Sequence, residues 1–119
     1  MNVSIVLPTY NEYKNIVDLI DAIEVEASSL VTQLQIVVVD DNSPDGTADV
    51  VRQRAQKPGA CIDLYVRTEE RGLASAIKYG LQRSQGDVVV VMDTDFNHDP
   101  KMVPQMIELL KYYDIVVGS

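Results

Sequence analysis

The chain has 119 residues, 46% of them hydrophobic, with 10 basic and 18 acidic side chains and a formal charge of −8. That length fits one small domain with a core, and the negative balance excludes nonspecific nucleic-acid binding and direct electrostatic attachment to anionic lipid, which both need basic surface. No stretch is long and apolar enough to span a bilayer and no signal peptide precedes the first strand, so a cytoplasmic protein, or one at the cytoplasmic face of a membrane, is expected.

Taken in order, Val3–Leu7 reads as a short apolar strand stopped by Pro8, followed by the polar loop Thr9-Tyr10-Asn11-Glu12. From Glu12 to about Ala27, Ile16, Leu19, Ile20 and Ile23 recur at helical spacing. Leu34–Val39 is a second strand and ends in Asp40-Asp41. The turn-rich Asn42-Ser43-Pro44-Asp45-Gly46-Thr47 follows, where Asp45 or Thr47 is expected to cap a helix over roughly Ala48–Gln56. Lys57-Pro58-Gly59 stops that helix. Cys61, the single cysteine, cannot form an internal disulfide and is expected as a buried thiol at a strand edge. Ile62–Val66 is the third strand. Arg71-Gly72-Leu73 opens a helix with Ala76, Ile77 and Leu81 inward and Gly86 as its stop. Val88–Met92 is the fourth strand, Pro100 to Tyr112 a fourth helix, and Asp114–Val117 a fifth strand. This alternation predicts an α/β fold, a three-layer α/β/α sandwich around a mostly parallel sheet.

The stretch from Asp87 to Pro100 concentrates the chemistry. Val88–Met92 is apolar and mostly β-branched, as a strand buried on both faces would be. It runs into Asp93-Thr94-Asp95-Phe96-Asn97-His98-Asp99. Two carboxylates at i and i+2 repel one another unless one keeps its proton or a cation sits between them. Magnesium or manganese resolves this through carboxylate oxygens and leaves positions for phosphate. A solvated acidic turn is the plain alternative. In open α/β sheets ligands bind outside the carboxyl ends of the strands. Three of those ends carry Glu12, Asp40/Asp41 and Asp93/Asp95, so all three acidic loops are expected to face one crevice. There is no Gly-x-Gly-x-x-Gly after the first strand and no P-loop lysine, so a metal would supply the charge for a diphosphate.

Leu7-Pro8-Thr9-Tyr10-Asn11-Glu12, Val39-Asp40-Asp41-Asn42-Ser43-Pro44-Asp45-Gly46-Thr47, Arg71-Gly72-Leu73-Ala74-Ser75-Ala76 and Met92-Asp93-Thr94-Asp95 occur in the order found in family 2 glycosyltransferases of the GT-A fold. Within that family the chain most resembles the dolichol-phosphate (polyprenol-phosphate) mannose synthases. The resemblance implies a Rossmann-like GT-A half and transfer of a sugar, mannose from GDP-mannose, to a polyprenyl phosphate. It implies a nucleotide-sugar site of Pro8, Tyr10, Glu12, Val39, Asp41, Asp93, Thr94 and Asp95. It further implies a Mg2+ or Mn2+ site of Asp93, Asp95 and Asn97. Thr94 stands where the family commonly has alanine, and Gly72-Leu73-Ala74 where Gly-Leu-Gly is usual. The family's phosphate-contacting arginine and acceptor half would follow Ser119, so residues 1–119 are expected to be the nucleotide-binding part, truncated at the C-terminus. No catalytic base is assigned.

Other readings stay open. A non-catalytic nucleotide-sugar-binding module, or a family 2 transferase with another donor such as UDP-glucose, fits the same motifs. Asp40 could bind the base or orient its loop, and Asp45 reads as a turn residue. Arg71 could approach a phosphate or pair with Glu69 or Glu70. Tyr10 could stack on a base or pack on the sheet end. His98 reads as a solvated or helix-capping residue and Asp99 as the N-cap before Pro100. A homo-oligomer is expected, built on the helix Pro104–Tyr112 or on the open edge of the strand Asp114–Val117. That strand could instead close against Val88–Met92, because the antiparallel strand that separates them in the full family fold is absent.

Overall fold

A computed structural model describes residues 2–27, 33–92 and, as backbone, 115–118. The elements run β1 (Asn2–Thr9), α1 (Ile16–Ala27), β2 (Gln33–Asp40), α2 (Thr47–Ala55), β3 (Ile62–Val66), α3 (Leu73–Gln82), β4 (Val88–Met92) and β5 (Ile115–Gly118). They form one sheet in the order β3-β2-β1-β4-β5. Every pairing is parallel, from Asn2↔Gln33 to Thr9↔Asp40 between β1 and β2 and from Val3↔Val88 to Val6↔Val91 between β1 and β4. β5 closes directly against β4, with Val89 opposite Ile115. The expected helix from Pro100 to Tyr112 and the residues Asp93, Thr94, Asp95, Asn97, His98 and Asp99 lie outside the described residues.

Side chains alternate across the sheet as its pleat requires. Val3, Ile5 and Leu7 of β1, Ile36 and Val38 of β2, and Val88, Val90 and Met92 of β4 pack with Ile16, Ile20 and Ile23 of α1 and Val51 of α2. Val6, Val37, Val39 and Val91 face the other way, onto Ala76 and the partly buried Ile77, Tyr79 and Leu81 of α3. Thus α1 and α2 cover one face and α3 the other. Strand order reverses between β1 and β4, and this is the place where the sheet opens a crevice at its carboxyl end.

Close contacts hold α3 and the turn that follows it. Gly80 lies against β1, where an added Cβ would stand 2.4 Å from Val6 Cγ1. At the amino end of the sheet the buried Ser4 hydroxyl donates to Gln35 Oε1 at 2.6 Å and accepts the Gly86 N–H at 2.8 Å. On the opposite face Arg54 clamps α2 to α1, donating from Nε to Asp21 Oδ1 and from Nη2 to Glu24 Oε1.

Several boundaries differ from the sequence expectation. β1 runs through Pro8 to Thr9, because its ladder to β4 has ended at Val6 and a proline is tolerated where a strand no longer needs every donor. α1 begins at Ile16 rather than Glu12. Asn11 adopts a left-handed φ of 57°, and the Glu12 carbonyl accepts the Asn15 and Ile16 N–H groups in a turn that precedes the helix. Neither Asp45 nor Thr47 is the N-cap of α2: Gly46 holds that position at φ 92°, without a side-chain cap, and Thr47 is the first helical residue. Cys61 is exposed rather than buried, since it lies just ahead of β3 on the edge of the sheet. Among the described residues, no helix is long and apolar enough to cross a membrane.

Candidate functional site

The loops that leave β1 and β2 are joined by side-chain acceptors and donors of the second loop. The Asn11 N–H donates to Ser43 Oγ at 2.9 Å, the Glu12 N–H to Thr47 Oγ1 at 3.0 Å, and the Tyr13 N–H to Asp45 Oδ2 at 3.1 Å. Asp45 Oδ1 also accepts the Thr47 N–H at 3.0 Å and the Thr47 hydroxyl. Asp45 is therefore a loop tie. The slight desolvation of this exposed side chain opposes its charge, but the Thr47 hydroxyl and the Tyr13 and Thr47 N–H groups outweigh that and hold the carboxyl below its ordinary 3.8.

Asp40 and Asp41 leave the end of β2 with different tasks. Asp40 is fully buried. It accepts the Thr9 hydroxyl at 2.7 Å and the Ser43 hydroxyl at 2.6 Å on Oδ1, and the Ser43 N–H at 2.9 Å on Oδ2. Of the two readings open for it, orientation of the loop is the one realised. Asp41 is 9% exposed and turns toward α3. Its Oδ2 accepts the Gly72 N–H at 3.0 Å, and its Oδ1 accepts Arg67 Nε at 2.8 Å. Gly72 sits at φ 119°, a conformation costly for any residue with a Cβ, and so brings its N–H to the carboxylate.

Arg67 is the residue that sequence reasoning missed. It is 6% exposed and directly follows β3. Its Nη2 lies 2.7 Å from Asp41 Oδ1 and 3.1 Å from the Gly72 carbonyl, and its Nη1 donates to Ser75 Oγ at 3.0 Å. Glu70 approaches Arg67 at 3.8 Å, so of the two acids considered for Arg71, Glu70 lies beside Arg67. Arg71 instead places its guanidinium 5.8 Å from the centre of the Tyr10 ring. A signal was present: an arginine immediately after an apolar strand, at the same end of the sheet as the aspartates.

The expected nucleotide-site residues among the described ones collect at the carboxyl ends of β1 and β2. Tyr10 is 48% exposed and presents its ring at the rim. Pro8 is buried within β1. Val39 is fully buried in the cluster under α3, so its side chain is core and only its backbone can meet a ligand. Glu12 follows Tyr10 in the same loop. Strand β4 ends at Met92 beside β1 and delivers the chain to Asp93. Among the described residues no group of three His, Cys, Asp or Glu could hold a metal.

Comparison with known proteins shows the family and the fold. The model of the family described as "Glycosyl transferase family 2" matches residues 4–119. A dolichol-phosphate mannosyltransferase of Pyrococcus furiosus is 41% identical over 120 residues, covering 100% of this chain and 33% of that protein. A mannosyltransferase of Pyrobaculum calidifontis, solved in complex with GDP-Man and Mn2+, superposes with a TM-score of 0.76 at 33% identity, over 92% of this chain and 31% of the other. Glucosyl-3-phosphoglycerate synthase of Mycobacterium tuberculosis, solved with Mn2+, UDP and glucosyl-3-phosphoglycerate, gives a TM-score of 0.67 at 30% identity, over 92% of this chain and 39% of the other. The chain spans about a third of the length of the curated relatives it matches.

Proposed function

The chain belongs to glycosyl transferase family 2, and on that premise we propose that it is the donor-binding part of a transferase that moves mannose from GDP-mannose to a polyprenyl phosphate. The observation that carries this reading is the Asp41 carboxylate, held by Arg67 and the Gly72 N–H at the carboxyl end of β2. A nearly buried, rigidly held anion at the rim of an α/β crevice suits the N–H edge of a base. The mannosyltransferase solved with GDP-Man supports the choice of donor. The 41% identity to a dolichol-phosphate mannosyltransferase supports the choice of acceptor.

In this reading Tyr10 offers its ring to the base, Asp41 accepts a base N–H, and the Pro8, Glu12 and Val39 segments line the nucleoside. Asp93, Asp95 and Asn97 carry oxygen donors only, which fits a hard cation such as Mg2+ or Mn2+ better than a soft one. The charge balance fits as well, since the loops around β1 and β2 have no glycine-rich phosphate cradle. When bound, the cation would neutralise the diphosphate and stabilise it as a leaving group. Thr94 meets the nucleotide through its backbone. The acceptor phosphate oxygen attacks the anomeric carbon, and the bond from that carbon to the donor diphosphate oxygen breaks.

Calorimetric titration with GDP-mannose in Mn2+, repeated with excess chelator, tests the reading. Binding that needs the cation is expected. Equal affinity with and without chelator would remove the metal role. Tighter binding of UDP-glucose than of GDP-mannose would replace the donor, and absence of binding to either would leave a family member without donor function.

A further inference from the structure

The Tyr10 ring is 48% exposed, so packing alone does not aim it. Its direction depends on the two peptide planes that flank its Cα, because each plane is rigid and only φ and ψ lie between them. Both planes are held from the carboxyl end of β2. The Thr9 carbonyl, in the plane before Tyr10, accepts the Asp41 N–H at 3.1 Å. The Asn11 N–H, in the plane after Tyr10, donates to Ser43 Oγ at 2.9 Å. Asn11 itself then turns into a left-handed φ of 57°, which asparagine tolerates better than most residues.

Ser43 is in turn held by Asp40. A hydroxyl has one proton and two acceptor positions, and its rotor turns to suit the acceptor it finds. Ser43 Oγ gives its proton to Asp40 Oδ1 at 2.6 Å, which leaves its lone pairs for the Asn11 N–H. The Ser43 N–H donates to Asp40 Oδ2 at 2.9 Å, so one fully buried carboxylate grips the serine at backbone and side chain. The Thr9 hydroxyl reaches the same Oδ1 at 2.7 Å. Asp40 therefore braces both neighbours of Tyr10, Thr9 directly and Asn11 through Ser43.

We propose that Ser43, oriented by Asp40, is a positioning residue for donor recognition: it fixes the Tyr10–Asn11 peptide and so presents the Tyr10 ring to the nucleobase in one direction before binding. The inference rests on the reading of Tyr10 as the platform for the base. Preorganisation of this kind strengthens binding by lowering the cost of ordering the site, without adding a contact to the ligand. Its signature is dependence on the ring. A serine that merely held the loop together, or that served Asp41, would lower affinity whether or not the ring were present.

The test is a double-mutant cycle. GDP affinity is measured by calorimetry in Mn2+ for the wild type, Ser43→Ala, Tyr10→Ala and the double variant, with cooperative melting as the check on folding. Tyr10→Ala is expected to weaken GDP about tenfold, within the range for a base stacked on an aromatic side chain. Ser43→Ala should weaken it about threefold to fivefold in the wild-type background, and by less than about twofold once Tyr10 is alanine. Ser43→Thr keeps the hydroxyl and should bind GDP like the wild type. Should Ser43→Ala fail to melt cooperatively, Ser43→Cys, of similar shape but a weak acceptor, takes its place in both backgrounds. Equal losses in the two backgrounds, no loss in the single variant, or a loss in Ser43→Thr equal to that in Ser43→Ala overturns the role of Ser43. Undiminished GDP binding in Tyr10→Ala removes the ring from the site and overturns the inference alone. Absence of GDP binding in the wild type overturns the donor reading and the inference with it.

Discussion

Gly80→Ala tests whether the placement of α3 governs the site. The added Cβ would stand 2.4 Å from Val6 Cγ1 and 3.3 Å from Val6 Cγ2 and Val39 Cγ2. Relief requires a shift of about 1 Å to restore ordinary contact between carbon atoms. Val6 and Val39 are β-branched and belong to central strands, so neither can swing aside cheaply. Alanine adds about 1 kcal/mol of helix propensity relative to glycine, while overpacking a well-filled interior costs about 1–3 kcal/mol. With so short an approach the cost should sit at the upper end, giving a net loss of about 1–2 kcal/mol. For a domain of this size that is a fall in Tm of about 5–10 °C. The first turn of α3 and its N-cap carry the groups that meet Asp41 and Arg67, so the same shift should weaken GDP binding. Thermal and urea unfolding would give the stability, and calorimetry the affinity. Val6→Ala combined with Gly80→Ala should recover part of both losses. If Gly80→Ala is as stable as the wild type or more so, the contact between α3 and β1 is looser than described and the reasoning fails.

The carboxyl of Asp45 titrates below its ordinary value in the folded chain, so its contribution to stability is present above the unfolded value and is lost as pH falls through the folded one. Asp45→Asn should flatten the fall in stability on the acid side of about pH 4, and an acid-unfolding curve identical to the wild type would refute the tie. Asp95→Ala should abolish the metal dependence of nucleotide binding, whereas Asp99→Ala should cost only a helix cap, about 1 kcal/mol; loss of the metal effect in Asp99→Ala would reassign the loop. Cys61 is exposed, so it should react with a thiol reagent in the native chain as fast as in the unfolded one, and strong native protection would place it in an interface.

Much of the fold was legible because both faces of the central strands are covered. Ile36–Val39 and Val88–Met92 read as continuous apolar runs, and such runs alternating with amphipathic segments leave a parallel sheet as the simple solution. Helix starts were less legible. The turn after Asn11 and the entry at Gly46 depend on backbone conformation and on donors in another loop, which periodicity does not record. The site was legible as a cluster of acids but not as a division of tasks. Asp40 and Asp41 are the same residue type one position apart, and only the folded chain shows that one holds Ser43 and Thr9 while the other meets Arg67. Arg67 was harder to read because it acts on a residue 26 positions earlier in the chain; its place just after an apolar strand marks the end of the sheet where it lies but not its partner. Val39 is a position implied by resemblance whose side chain belongs to the core, so only its backbone faces the crevice end of β2.

The opposite directions taken by Asp40 and Asp41 make the length of β2 a coding element. Conservative exchanges among Val37, Val38 and Val39 should cost little beyond packing. Inserting or deleting one residue ahead of Asp40 would turn every following side chain to the other face. After a deletion Asp41 would stand where Thr9 and Ser43 wait and Arg67 would lose its anion; after an insertion Val39 would meet Thr9 and Ser43 instead of a carboxylate, although the composition of the chain had hardly changed. Any library built to alter the donor should therefore vary the identities of the residues beyond β2 and keep its residue count fixed.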